Sequence, residues 1–249
     1  MEPTRMGREL LDDVVTPFID DGWIDEVLFP VKSGKEATVY CCKAASGRGV
    51  SHYALKAYKP REHRNFQNDA IYREGRLLAG TREARAVVKK SRFARAVAFG
   101  GWLGHEYAML GHLWRAGAPV PRPVAIARNA MLIEFLGEGD SPAPQLWTLS
   151  LSSSEAEALL EQSLRTVEIM LANDVVHGDL SAYNMLVADR RLYVIDVPQS
   201  VDARSNPNAS MLLGRDVANV CRYFASRGAD AQPGTYAVEL WDLYQRGRL

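Results

Sequence analysis

The segment Val175-Val-His-Gly-Asp-Leu-Ser-Ala-Tyr-Asn-Met-Leu-Val187, followed by Tyr193-Val-Ile-Asp-Val197, restricts the fold more than any other stretch of the chain. Two carboxylates and one amide each stand beside a short apolar run. Such runs form strands, and the polar residues at their ends form turns, so a compatible fold holds Asp179, Asn184 and Asp196 on adjoining loops. Asp179 and Asn184 have the spacing H-x-D-x-x-x-x-N of a phosphoryl-transfer loop, in which a second Asp follows at the end of the next hairpin. Asp196 takes that place. Moving a γ-phosphoryl group requires hard oxygen ligands for Mg2+, which Asn184 and Asp196 supply, and a carboxylate near the acceptor oxygen, which Asp179 supplies. Taken alone, the same residues also read as turn caps on a β-hairpin.

Around this segment the order is strands, then helices. Residues 4–27 read as helical, with Thr4 as cap and Pro17 interrupting the pattern. Three antiparallel strands follow, at 27–31, 37–42 and 53–58, and a basic, weakly periodic excursion covers about 60–98. A helix is expected from Trp102 to Ala116, stopped by Gly117 and by Pro119, Pro121 and Pro123. A hairpin at 124–127 and 131–136 comes next. The helical pattern resumes at Glu155–Asn173 with Ser154 as cap, then short strands at 185–187 and 193–197, then helices at about 208–226 and 233–246. This segregation argues for an α+β protein: an N-terminal helical segment (1–26), a small sheet-based lobe (27–134) and a larger helical lobe (135–249), with a ligand cleft between lobes as the default site.

The 249 residues carry 30 basic and 30 acidic side chains, but residues 48–98 hold 13 basic against 4 acidic. The molecule should therefore be polarised, and the loop at 60–98 reads either as a solvated excursion or as a contact for RNA or an acidic partner. Three cysteines, two of them adjacent (Cys41, Cys42, Cys221), signal neither a disulfide framework nor zinc. The start of the chain lacks a signal-peptide pattern, and no apolar run reaches the length of a membrane span. A cytoplasmic protein without a membrane partner is the expectation. His105 and His112, seven apart on one helix face, read as packing.

A second motif lies at Ser33-Gly-Lys-Glu-Ala-Thr-Val-Tyr40, between two expected strands. A turn of small residues lets backbone N–H groups approach phosphate oxygens, and Val39 can roof a flat base. Lys56, mid-strand among apolar neighbours, needs an anionic partner, because an unpaired buried ammonium is costly. Phosphate and Glu106 are the candidates; the bland reading is a surface lysine interrupting the strand. No Walker P-loop is present.

With Ala54-Leu-Lys-Ala-Tyr-Lys59, Met131-Leu-Ile-Glu-Phe-Leu-Gly137, Pro142-Ala-Pro144, Ile195-Asp-Val-Pro-Gln-Ser-Val201, Asn206-Pro-Asn208 and Gly214-Arg-Asp-Val217 added, the chain resembles the RIO-type atypical protein kinases from about residue 27 to 226, most of all their type-one subfamily. The resemblance implies a two-lobed protein-kinase-like fold with an extra N-terminal helix, and an ATP- and Mg2+-dependent (or Mn2+-dependent) serine/threonine kinase able to phosphorylate itself. It implies Asp179 as catalytic residue, Asn184 and Asp196 as metal ligands, and Lys56 on the phosphates with Glu106 as its ion-pair partner. Ser33, Gly34, Lys35, Glu36, Ala37, Val39, Glu134, Leu136, Pro142 and Leu186 complete the nucleotide site, with Glu134 and Leu136 presenting backbone groups to adenine. In this family Asp196 can itself accept phosphate. Two alternatives therefore stand beside the kinase: an ATPase-like switch through phospho-Asp196 that gates an RNA or ribonucleoprotein partner, and a small-molecule kinase. The chain departs from ordinary protein kinases in its single phosphate-loop glycine, in Gly178 after His177, and in the short stretch between Asp196 and Arg215.

Overall fold

The computed structural model describes residues 5–59, 101–127 and 129–249; the basic segment at 60–98 and the cap expected at Thr4 lie outside them. The chain divides into two compact units. The first, from the described residues up to 59 together with 101–108 and 121–142, is a five-stranded antiparallel sheet with one helix packed on it. Its strands are β1 (Ile24–Ser33), β2 (Ala37–Ala44), β3 (His52–Tyr58), β4 (Pro123–Ala127) and β5 (Ala130–Glu134), in the order β1-β2-β3-β5-β4.

Helix α1 (Arg5–Asp20) is shorter than the sequence pattern suggests. Gly22 adopts φ 65°, Trp23 N–H donates to Phe18 O and Gly22 N–H to Ile19 O, both at 2.8 Å. This is a left-handed glycine stop, and it frees Ile24 to begin β1 three residues ahead of the strand expected at Val27. The two-residue alternation of β3 then sorts its side chains. Tyr53 and Leu55 face a core with Val15 and Phe18 of α1, Ile24, Cys42, Ala130 and Leu132. Lys56 and Tyr58 reach Glu106 on helix α2 (Gly101–Arg115).

The second unit holds the rest of α2 and the stretch to Val120, helices α3 (Ser153–Ala172), α4 (Ala209–Ala225) and α5 (Pro233–Gln245), and short hairpins. Helix α3 is capped by Ser152, not by Ser154 as the sequence reading has it. Ser152 Oγ accepts from Glu155 N–H, and the Glu155 side chain accepts from Ser152 N–H; Ser152–Glu155 and Ser154–Glu157 both have the spacing of a reciprocal capping box, and the fold closes the first of them. Strands β6 (Gly137–Glu138) and β7 (Ser141–Pro142) form a small hairpin at the end of the first unit. In the second, β8 (Val175–Val176) pairs with β11 (Val201–Asp202), and β9 (Met185–Ala188) with β10 (Arg191–Val194). The strand expected to run to Val197 stops at Val194, because Ile195 N–H turns to Asn184 O at 2.9 Å and Asp196 adopts φ 67°. Among the described residues no helix is long and apolar enough to cross a membrane.

Candidate active site

In the first unit Lys56 occupies the middle of the sheet, opposite Val39 on β2 and Met131 on β5. Its ammonium lies 2.5 Å from Glu106 Oε1, with the lysine side chain 12% and the glutamate 1% exposed. The other carboxylate oxygen accepts the Tyr58 hydroxyl. The buried charge of Glu106 thus meets the Lys56 ammonium and the Tyr58 hydroxyl, the kind of pairing that makes ionic burial tolerable. Tyr58 is a partner the sequence reading missed; its place two residues beyond Lys56 on a strand is the signal, since that spacing puts both on one face.

The turn between β1 and β2 carries Ser33, Gly34, Lys35, Glu36 and Ala37. Gly34 N–H donates to Ala37 O at 2.8 Å, and the Ser33 and Thr38 hydroxyls lie 3.2 Å apart. From the end of β3, Lys59 Nζ donates to Gly34 O at 2.6 Å and Lys59 N–H to Glu36 O at 2.9 Å. A Cβ at position 34 would come 3.3 Å from Ala37 O, so the single glycine sits where the turn is tightest. Val39 is on β2 beside this turn. Glu134 ends β5; its N–H donates to Arg122 O, and its carboxylate accepts Arg122 N–H at 3.0 Å. Its N–H is thereby engaged by the Arg122 carbonyl. Leu136 follows, and Pro142 closes the β6–β7 hairpin against Gly137.

In the second unit the loop from His177 to Asn184 is held from beneath by Asp216 of α4. The Asp216 carboxylate, 1% exposed, accepts Gly178 N–H at 2.7 Å and Leu180 N–H at 2.9 Å. Arg215 donates to the Gly178 carbonyl. Burial pushes Asp216 up to about 7, against the pull of those amides and of Arg215. The sequence reading used Gly214–Val217 only as a point of likeness, yet Asp216 lies on the apolar stripe Leu212, Leu213, Val217, Val220, and an aspartate on a buried stripe demands donors.

Asp179 keeps an exposed edge. Partial burial raises its carboxyl above the ordinary range; Arg215 pulls it down, Asp196 pushes it up, and the Asn184 amide pulls it down again. Asn184 Nδ2 donates to Asp179 O at 2.8 Å, which leaves the hard Oδ1 as the atom Asn184 can give a metal. Asp196 is joined to the same place by the Ile195 N–H···Asn184 O bond. An oxygen-only pair of this kind suits a hard divalent cation such as Mg2+. Among the described residues no group of three His, Cys, Asp or Glu side chains forms a metal cluster. Leu186 stands on β9, paired with Tyr193 and bridged to Gln145. His177 is buried, and burial lowers its imidazole to about 4 although Asp196 draws it upward. The site residues thus gather in two sets, one in each unit.

Residues 38–236 match the family profile described as the RIO domain. A RIO-type serine/threonine-protein kinase Rio1 of Haloferax volcanii is 33% identical over 232 residues, covering 91% of this chain and 74% of the relative. The protein of the same name from Thermoplasma acidophilum is 36% identical over 132 residues, 53% of this chain and 68% of the relative. The human serine/threonine-protein kinase RIO1 is 31% identical over 82% of this chain, which corresponds to 34% of the human protein. With four-fifths of its length matched by the profile and its five-stranded sheet and supported loop in place, the chain belongs to the RIO domain family.

Proposed function

We propose that the protein is an ATP- and Mg2+-dependent serine/threonine protein kinase, capable of autophosphorylation, with Asp179 as its catalytic residue. The observation that carries the reading is the single hydrogen-bonded loop in which Asp216 fixes the backbone on both sides of Asp179, Asn184 holds the Asp179 carbonyl, and Ile195 ties Asp196 to Asn184. In this reading the acceptor hydroxyl attacks the γ-phosphorus. Its O–P bond forms as the bond to the bridging oxygen of ADP breaks, and its proton passes to the Asp179 carboxylate. The raised pKa of Asp179 suits a base that must take up a proton. Lys56, oriented by Glu106, neutralises phosphate charge, and the Ser33–Ala37 turn offers backbone N–H groups to the phosphates. The Glu134 carbonyl and Leu136 meet adenine, with Val39, Pro142 and Leu186 contributing apolar contacts. Asn184 Oδ1 and the Asp196 carboxylate would hold Mg2+, which when bound supplies neutralisation of the transferring charge.

Incubation with γ-labelled ATP tests the assignment. Label should appear on protein, vanish in EDTA, and fall roughly 10²–10⁴-fold in Asp179→Ala while ATP affinity stays nearly intact, because a proton acceptor acts in the transition state. Full transfer in chelator overturns it. Label removed by hydroxylamine would assign an acyl phosphate on Asp196 and favour the ATPase-like switch; label on an added sugar or aminoglycoside would favour a small-molecule kinase.

A further inference from the structure

The loops bearing Asp179, Asn184 and Asp196 lie between β8 and β11, whose ladder comprises only the pairs Val201–Val176 and Asp202–Val175. Two residue pairs are too few to hold a register alone. A side-chain knot stands at the open end of this ladder. Arg204 grips Asp202 with Nε at 3.1 Å from Oδ1 and Nη2 at 3.0 Å from Oδ2, and its Nη1 reaches Asp174 Oδ2 at 3.2 Å. The Tyr244 hydroxyl, from the last turn of α5, donates to the other Asp174 oxygen at 2.8 Å. Asp174 itself sits at φ 62°, and its carbonyl accepts Ala203 N–H at 2.8 Å. Asp174, one residue before β8, is thus tied to Asp202 in β11 by a guanidinium and to the last turn of α5 by a phenol.

We propose that Arg204 and Tyr244 are positioning residues for phosphoryl transfer: by clamping Asp174 and Asp202 they set the register in which the His177–Asn184 loop and Asp196 are presented. The proposal rests on the site reading given above. Neither side chain is among the groups assigned to nucleotide, metal or acceptor, so the effect must pass through the backbone that enters and leaves the two loops. Arg204 is the stronger arm, because its planar fork engages both carboxylates, whereas Tyr244 contributes one neutral donor. Small displacements of a catalytic group are expensive in rate and cheap in ground-state affinity.

The test compares the parent with Arg204→Met, Arg204→Lys, Tyr244→Phe and the double variant Arg204→Met/Tyr244→Phe, all measured well below their melting temperatures. Arg204→Met should lower kcat about tenfold with the ATP Kd within about twofold, and Tyr244→Phe about threefold. The double variant should lose less than the product of the two, since both arms act through Asp174. Arg204→Lys should recover most of the rate. Amide exchange at Gly178 and Leu180 should quicken in Arg204→Met and return toward the parent in Arg204→Lys. A lowered melting temperature with unchanged kcat and unchanged exchange would make the knot a purely structural staple and overturn the proposal. Should the parent itself transfer no phosphate, the function reading fails separately, and the exchange measurement still decides whether the knot positions the loop.

Discussion

Lys56 and Glu106 form a pair whose burial makes it costly to disturb. The lysine alone would be an unpaired ammonium in a sheet interior, and the glutamate, 1% exposed, an unpaired carboxylate. Lys56→Met is expected to lower the unfolding free energy by about 2–4 kcal/mol, below the usual cost of halving a buried pair because Tyr58 still donates to Glu106. Urea denaturation reads this directly, and an unchanged midpoint would refute it. His177 and Asp216 give a second test at this scale, through pH. Native His177 releases its proton near 4, whereas the unfolded residue does so near 6.5, so its contribution to stability grows as pH rises from about 4 to 6.5. Native Asp216 keeps its proton up to about 7 against 3.8 unfolded, so its contribution is lost as pH rises across 3.8–7. The two oppose each other in the parent. His177→Gln should therefore lose stability with rising pH more steeply than the parent, and Asp216→Asn should do the reverse; parallel denaturation midpoints across pH 4.5–7.5 would show that neither group titrates in this way.

The elements were readable at their centres and misread at their ends. The 3.6-residue apolar spacing and the two-residue alternation are repeated many times within a helix or strand, so α2 through α5 and the β2, β3 and β4–β5 strands follow from local pattern. An end depends on one or two residues. Gly22 stops α1 through a left-handed turn that Arg48 then reinforces, its Nε donating to Gly22 O at 2.8 Å while its guanidinium lies over the Trp23 ring. Ser152, Ser153 and Ser154 are equivalent as cap residues until Glu155 is seen to reach back. Ser152→Ala should cost about 1 kcal/mol, a melting-temperature shift of roughly 2–4 °C for a chain of this size, while Ser154→Ala should be nearly silent. Equal losses in the two variants would place the cap elsewhere.

At the scale of the whole molecule, the 13 basic against 4 acidic residues in the segment 48–98, balanced by an acidic remainder, make an electrostatic prediction. If it contacts RNA, affinity should fall steeply with salt, each neutralised phosphate adding about 0.7 to the log–log slope. Neutralising Arg82, Arg85, Lys89 and Lys90 together should flatten that slope without changing ATP binding; identical salt dependence in parent and variant would end the idea of a polyanion contact. Sequence alone was sufficient for the segregation of strands from helices, and it singled out Asp179, Asn184, Asp196 and Lys56 as candidates. Those rest on periodicity and on fixed offsets within one loop, which are local quantities. Only the tertiary structure decided that Tyr58 shares Glu106 with Lys56, that Asp216 carries the His177–Asn184 loop from 36 and 38 residues away, and that Asp174, Asp202, Arg204 and Tyr244 meet. The Glu106 and Asp216 pairings join residues far apart in the chain, and what selects them is the requirement that a buried polar group find partners once packing has brought distant segments together; Asp174 and Arg204, 34% and 56% exposed, meet through the same packing without that requirement.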